Sequence, residues 1–284
     1  MRYRTVFLSD LHLGMRGAQA HRVLSFLRHV DAERWVLVGD IVDGWALART
    51  WHWPQAANDV VQKLLRKARK GAEVIYVPGN HDAAARQFAG LAFGGVDVRR
   101  QWLHRTADGR RLLVLHGDEF DGMVALAPWL SRVGARAYAL SLRLGAAVTA
   151  VRERLGMPYW SLAGALKDRT KKAVQYIAGF EEAVAQRAAA VGADGVVCGH
   201  IHRAELRAIA AGERTVLYAN CGDWVESCTA LVEHTDGRLE IVRWTDVPDA
   251  PAEADDDAPF EADAVGGDGA ASPADLADLA GLLR

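Results

Sequence analysis

Five short apolar runs punctuate the chain: YRTVFLSD, RWVLVGDIVDG, AEVIYVPGNHD, RRLLVLHGDEF and DGVVCGHIHRAE, each passing into glycine, aspartate, asparagine or histidine. Runs of this length predict buried strands that feed polar loops. Between them the period changes. AHRVLSFLRHV places apolar residues at 23, 24, 27 and 30, a helical stripe. NDVVQKLLRKARKG predicts a second helix, with Asn58 or Asp59 as N-cap, basic residues in its last turn and Gly71 past its end. TVLYANCGDWVESCTALVEH and LEIVRW read as closing strands, with antiparallel pairing expected. The alternation predicts an α/β scaffold in which helices cover sheets.

Two segments depart from that pattern. Residues 119–190 carry no strand signal and read as a helical cap inserted between two scaffold strands. From Asp246 onward the chain turns to Ala, Asp, Pro and Gly, the composition of a disordered tail, with one amphipathic stretch, SPADLADLAGLLR, at its end. The organisation expected is therefore a scaffold over 1–118 and 191–245, a cap over 119–190 and an acidic tail over 246–284.

Charge sharpens this division. The net charge of −2 over 284 residues hides a tail with eleven acidic residues and one basic, and a body (1–245) carrying +8. In the cap, residues 129–187 hold ten Arg or Lys against four Asp or Glu. A basic body suits an anionic partner without saying which kind. Cys198, Cys221 and Cys228 are odd in number and sit in apolar settings, which reads as reduced thiols of a cytoplasmic protein. No signal peptide is evident, and no window reaches the roughly 18 apolar residues a membrane span needs. The expectation is a soluble chain, at most peripheral to a membrane.

The chemistry lies where the strands stop. Asp10 and His12, Asp40, Asn80 and His81, His116, and His200 and His202 each follow one apolar run. Strand ends on one edge of an α/β sheet converge, so residues distant in sequence can share a site. Taken singly, each motif is ordinary: Gly-Asp after a strand is a turn, Asn80 a turn former, His116 a rim histidine. Five of them at five strand ends have no structural reason to coincide. Together, His81 aside, they supply three oxygen donors and four imidazoles, a mixture suited to manganese, iron or zinc; pure magnesium or calcium sites rely on oxygen. Seven ligands are too many for one ion and suit a pair. His200 and His202, on one turn, would then splay apart to separate ions.

The ordered set D-x-H, G-D, G-N-H-D, H-G-D and G-H-x-H, spanning residues 10 to 202, resembles the calcineurin-like metallophosphoesterases. The resemblance implies a four-layer α/β sandwich, two packed β-sheets flanked by helices. It implies two divalent metal ions, manganese above all, with iron, zinc or magnesium as alternatives. Asp10, His12 and His202 would hold one ion, Asn80, His116 and His200 the other, and Asp40 would bridge them. His81 would stay off the metals as the catalytic histidine. The implied reaction is hydrolysis of a phosphodiester or phosphoanhydride by metal-activated water.

Within that family the insertion between H-G-D and G-H-x-H is similar in place to the lipid-receiving cap of UDP-2,3-diacylglucosamine diphosphatases, enzymes of lipid A metabolism. Leu126, Trp129, Leu130, Tyr138, Leu140, Leu142, Leu144, Tyr159 and Trp160 give this cap an apolar content, which either receives acyl chains or packs the cap on itself. Lys167, Arg169, Lys171 and Lys172 are the candidate phosphate contacts, or else a solvated helix face. The resemblance implies a phosphorylated glycolipid substrate and contact with an anionic membrane surface; nucleic acid is not expected, because stacking aromatics lack a regular pattern. His81 departs from the pattern, since the lipid A enzymes have Arg there. PGNHD fits instead a general phosphoesterase, or a sister branch of the diphosphatases. Three further aspartates, Asp43, Asp82 and Asp118, are placed to orient ligands, Asp43 and Asp118 equally to cap turns, and Trp45, Trp51 and Trp53 either stack on a substrate base or join the core.

Overall fold

A computed structural model describes residues 1–121 and 162–245; the side chains of 162–172 lie outside that description. In β1 (Arg2–Leu8) and β2 (Asp31–Val38) the apolar residues alternate between two faces, and both faces are buried. Trp35 and Leu37 point one way, Val36 and Val38 the other, and such strands need cover on each side. β1, β2 and β3 (Glu73–Val77) pair in parallel, with Val6 opposite Trp35 and Val36 opposite Ile75. The short β4 (Ala92–Phe93) and β5 (Val96–Val98) finish one edge of this sheet.

A second sheet is made of β6 (Trp102–Arg105), β7 (Arg111–Val114), β8 (Gly195–Cys198), β9 (Glu205–Ala211) and β10 (Arg214–Asn220), in the order β6-β7-β8-β10-β9. β7, β8 and β10 run parallel, while β6 and β9 are antiparallel edges. The chain then returns to the first sheet with β11 (Thr229–Glu233), antiparallel to β1, and β12 (Leu239–Arg243). That sheet has seven strands in the order β12-β11-β1-β2-β3-β5-β4.

Three apolar layers hold the sandwich. Between the sheets, Phe7, Val36, Val38, Ile75 and Val77 meet Leu112, Val114, Val197 and Ala219. Outside the first sheet, α1 (Ala20–His29) and α3 (Gln55–Arg69) lay Val23, Phe26, Leu27, Val60 and Leu64 on Val6, Leu8, Trp35 and Val74. The one-and-a-half-turn α2 (Gly44–Arg49) precedes α3 and buries none of its residues. Outside the second sheet, α4 (Leu162–Ala190) packs Phe180, Val184 and Ala188 on Leu113, Val196 and Tyr218. Each fully buried Val, Leu or Phe contributes roughly 1.5–3 kcal/mol, so every layer is individually substantial. The fold is the expected four-layer α/β sandwich.

Two local expectations need correction. α3 begins at Gln55 behind Pro54, a turn before Asn58 and Asp59. Ala56 and Ala57 are buried against the core and extend the stripe backward, while Asp59 accepts from the Gln55 side chain at 2.7 Å. The chain also forms β4, β5, β6 and β9, none of which its hydrophobic pattern announced; β9 buries only Ala211, and β4 is exposed throughout. Among the described residues, no helix is long and apolar enough to cross a membrane. The apolar cap residues from Leu126 to Trp160, and the side chains of Lys167, Arg169, Lys171 and Lys172, lie outside the described residues.

Candidate metal centre

The parallel strands β1, β2, β3, β7 and β8 all end on the same edge of the sandwich, and their following loops are laced together. Asp10 donates its backbone N–H to Gly39 O at 3.0 Å, His12 to Asp40 O at 2.9 Å, and Gly199 to His116 O at 3.1 Å. Among the described residues, six non-glycine residues take a left-handed backbone, and five of them are Asp10, His12, Asp40, His200 and His202. Such conformations cost free energy for residues with a Cβ and persist where the surroundings impose them. Glycine is required where the loops touch. A Cβ on Gly39 (φ +78°) would enter the His116 ring, and one on Gly199 would strike the Asp10 carboxylate.

The side chains gather into three groups: Asp10 with His12 and His202; Asp40 with His116 and His200; and His12 with Asp43 and His81. Nε2 of His202 is 3.1 Å from Asp10 Oδ1, and Nε2 of His12 is 3.3 Å from Nε2 of His202. Asp40 Oδ2 lies between groups, 3.4 Å from His116 Nε2 and 3.9 Å from His12 Nε2. Asn80 Oδ1 is 3.3 Å from the same His116 nitrogen. All seven residues named as ligands from sequence thus meet at one edge, with Asp40 in the middle.

Neighbouring groups fix which nitrogen of each ring is available. His116 donates Nδ1–H to Val38 O at 3.0 Å, which turns Nε2 toward Asp40 and Asn80. Asp43 Oδ2 lies 3.1 Å from His12 Nδ1 and directs the other nitrogen inward. Its second oxygen accepts from Ala46 N at 2.8 Å, so Asp43 both orients a ring and caps α2. That oxygen is also 2.9 Å from His81 Nδ1, out of line for a hydrogen bond, which leaves this buried nitrogen with an ionic neighbour but no hydrogen-bond acceptor. Asp82 accepts from Gly79 N at 2.6 Å and Ile41 N at 2.7 Å, joining the β2 and β3 loops. Asp118 pairs instead with Arg86 at 2.6 Å, and the same guanidinium donates to Pro78 O.

The electrostatics fit cations. Asp10 is fully buried, yet its Oδ1 has no hydrogen-bond partner. Burial works against ionising it, but His202 and His12 hold it well below the usual carboxylate range. Burial also opposes charge on His116 and His12, and the facing carboxylates outweigh it, pushing both up to about 10. Protons on imidazole thereby balance a surplus of carboxylate charge, the balance that divalent ions would take over. Oxygen and nitrogen donors, an orphaned buried carboxylate oxygen and fixed tautomers together fit a metal pair.

His81 stands beside this cluster with its side chain 22% exposed, Nε2 3.9 Å from Asp40 Oδ2. Trp45 lies over its ring at 4.1 Å between centroids, tilted by 34°. Trp53 joins the core below α1 and α3, whereas Trp51 is 76% exposed. Sequence reasoning missed Asp121 and Tyr176: Asp121 Oδ1 is 2.7 Å from His200 Nε2 and accepts from Tyr176 OH at 2.6 Å. Asp121 follows His116 by five residues in HGDEFD, a spacing that could have flagged it; Tyr176 sits in an unremarkable helical stretch.

Residues 3–204 match the model of the calcineurin-like phosphoesterase family. UDP-2,3-diacylglucosamine hydrolases of Xanthomonas campestris pv. campestris are 28% identical over 255 residues, covering 82% of this chain and 96% of the relative. Among solved structures, a Vps29 mutant from Entamoeba histolytica aligns with a TM-score of 0.39 and 13% identity, covering 84% of this chain and 97% of that one. Vacuolar protein sorting 29 from Cryptosporidium parvum aligns at 0.40 and 12%, covering 84% and 95%.

Proposed function

The chain belongs to the calcineurin-like phosphoesterase family of metal-dependent hydrolases, and from that premise we propose that it cleaves the phosphoanhydride of a UDP-2,3-diacylglucosamine-like glycolipid. The observation that carries the chemistry is the convergence of Asp10, His12, Asp40, Asn80, His116, His200 and His202 at one strand edge. Asp10, His12 and His202 would hold one divalent cation, Asn80, His116 and His200 the other, with Asp40 between them. The mixed donors favour manganese, with iron, zinc and magnesium as alternatives. Bound there, the cations supply Lewis acidity toward phosphate oxygens and a nucleophile from water near neutral pH.

The chain's own groups do the rest. Asp43 and Val38 O hold His12 and His116 so that their free nitrogens face inward. His81 is the catalytic histidine: partly exposed and outside the ligand set, it meets the substrate phosphate and protonates the leaving oxygen or stabilises developing charge. Asp43 Oδ1 lies 2.9 Å from its Nδ1. Lys167, Arg169, Lys171 and Lys172 are assigned to the substrate's anionic head, and the cap's apolar residues to its acyl chains. A lipid substrate implies a cytoplasmic enzyme peripheral to a membrane surface.

The substrate rests on the name of relatives at 28% identity that are covered over 96% of their length. A second reading, a broad-specificity phosphodiesterase, phosphatase or nuclease of the same family, is favoured by His81 itself. Arginine grips a diphosphate through two parallel hydrogen bonds, whereas histidine offers one donor and a titratable proton. One experiment separates them. The manganese-loaded protein is assayed against UDP-2,3-diacylglucosamine, bis-p-nitrophenyl phosphate and a monoester, with Asn80→Ala as control. Release of UMP from the lipid alone supports the first reading; diester cleavage with the lipid untouched supports the second. Equal rates in the control would refute the site.

A further inference from the structure

His200 is held unlike the other candidate ligands. His116 and His12 take their orientation from groups on scaffold strands and loops, but His200 takes its own partly from α4. Tyr176 and Phe180, one helical turn apart, share a face of that helix. The Phe180 ring lies 5.9 Å from the His200 ring, and His116 stands edge-on to it at 5.2 Å. A Cβ on Gly117 would collide with Phe180, so the loop after β7 is also fitted against α4. At the far end of the ring, Nε2 is 2.7 Å from Asp121 Oδ1, and Tyr176 OH donates to that same oxygen at 2.6 Å.

A carboxylate only accepts hydrogen bonds, so Asp121 calls for a proton on Nε2 of His200 and leaves the Nδ1 lone pair free. We infer that Asp121 and Tyr176 are positioning residues for His200: they fix its tautomer and ring plane so that Nδ1 is the cation ligand, and they couple α4 to the second cation site. This rests on the reading of the site given above and adds that one of the two cations is held through the inserted helix, while the other depends on the scaffold alone. Asp121 lies outside the group formed by Asp40, His116 and His200. Hydrogen-bonded partners of ligating histidines of this kind typically alter metal affinity by about 10–100-fold.

The test is a calorimetric manganese titration of the full chain stripped by chelator. Wild type, Asp121→Ala, Asp121→Asn, Tyr176→Phe and the exposed-surface control Val174→Ala are compared. Wild type takes up two equivalents. Asp121→Ala weakens one of them about 10–100-fold and leaves the other unchanged. Asp121→Asn keeps an acceptor of the same shape and lies between Asp121→Ala and wild type, which guards against a mere folding defect. Tyr176→Phe weakens the same equivalent by ~2–10-fold, the scale of one lost hydrogen bond, and Val174→Ala changes neither. Hydrogen exchange gives a second readout, since cation binding slows exchange around Tyr176 and Phe180 in wild type and not in Asp121→Ala. Unchanged affinities in both Asp121 variants overturn the inference, and so does equal weakening of both equivalents. A loss in Asp121→Ala with none in Tyr176→Phe makes Asp121 a ligand rather than a positioning residue and also overturns it. Failure of wild type to bind two equivalents refutes the metal site first, and this inference with it.

Discussion

Glu233 and Asp10 are both fully buried carboxylates, on β11 and at the end of the adjacent β1, yet their surroundings are opposite in kind. Glu233 is saturated by the protein. Arg4 and Ala107 N donate to one oxygen and Thr5 and His104 to the other, each at 2.7 Å. No residue of that cluster has a left-handed backbone. Asp10 sits on a left-handed turn with Oδ1 free of hydrogen bonds, facing the imidazoles of His202 and His12. A buried charge costs several kcal/mol unless it is paired and hydrogen-bonded. The Glu233 cluster meets that cost internally and ties the two sheets together. The Asp10 cluster meets it with imidazole charge but leaves Oδ1 without a hydrogen bond, and strain collects there as well. What separates a structural network from a functional one in this sandwich is the unfilled valence.

The most severe way to break the comparison is to remove the carboxylate at the centre of the functional cluster. Asp40→Ala is expected to lower phosphoesterase turnover by at least about 10²–10³-fold, the scale of losing one group that stabilises the transition state. Steady-state kinetics with saturating manganese measures this, and retention of wild-type turnover would remove Asp40 from the site. The mirror experiment is Glu233→Gln. It leaves buried His104 and Arg4 without their charge partner, a loss of roughly 3–5 kcal/mol, and the melting temperature should fall by on the order of 10 °C. Turnover per folded molecule at 25 °C should stay at the wild-type value. If Glu233→Gln costs activity and not stability, the contrast between the two ends is wrong.

The same contrast explains what could be read from the sequence. Residues that answer to chemistry announced themselves: β1, β2, β3, β7 and β8 are apolar runs ending in ligand types, and the structure brings those ligands together. The Glu233 cluster was invisible, because Arg4, Thr5, His104 and Glu233 carry no motif and meet only through strand pairing across two sheets. Edge strands were missed for a related reason. β9 runs through paired half-buried and paired exposed positions before its buried end at Ala211, so no clear period separates it from a loop. The start of α3 was misplaced since Asn58 and Asp59 are good cap formers, whereas burial of Ala56 and Ala57 carried the helix back to Pro54. Tyr176 belongs to the site through one hydrogen bond from a helix whose sequence reads as ordinary surface and core.

A gentler test fills the unmet valence instead of deleting it. Manganese at about 100 times its dissociation constant should stabilise the chain by about 2.7 kcal/mol, a rise of roughly 5–11 °C in melting temperature. Loading should also release protons to the medium, because imidazole must give up its proton to ligate. Scanning calorimetry with and without chelator measures the first, and titration in buffers of different ionisation enthalpy the second. Glu233→Gln should show the same metal-dependent increment from a lower starting point, and Asp40→Ala should show little of it. Equal increments in all three proteins would place the bound metal somewhere other than this edge.

The last effect is a pH dependence that belongs to the saturated end. Burial raises the Glu233 carboxyl, but His104, Thr5 and Ala107 N more than reverse this and bring it down to about 2, from an ordinary 4.5. A group whose pKa falls on folding adds stability that is present above the unfolded value and is lost as pH drops through the folded one. Stability should therefore hold from neutrality to about pH 4.5 as far as Glu233 is concerned, then decline toward about pH 2. Chelator-treated wild type and Glu233→Gln, unfolded by urea across this range, isolate the contribution. Their difference should shrink as the pH falls, because acid does to the carboxylate what the substitution does permanently. A difference that stays constant from pH 6 to about 2.5 would mean that His104 and Arg4 do not depend on the Glu233 charge, and the saturated cluster would then owe its stability to packing alone.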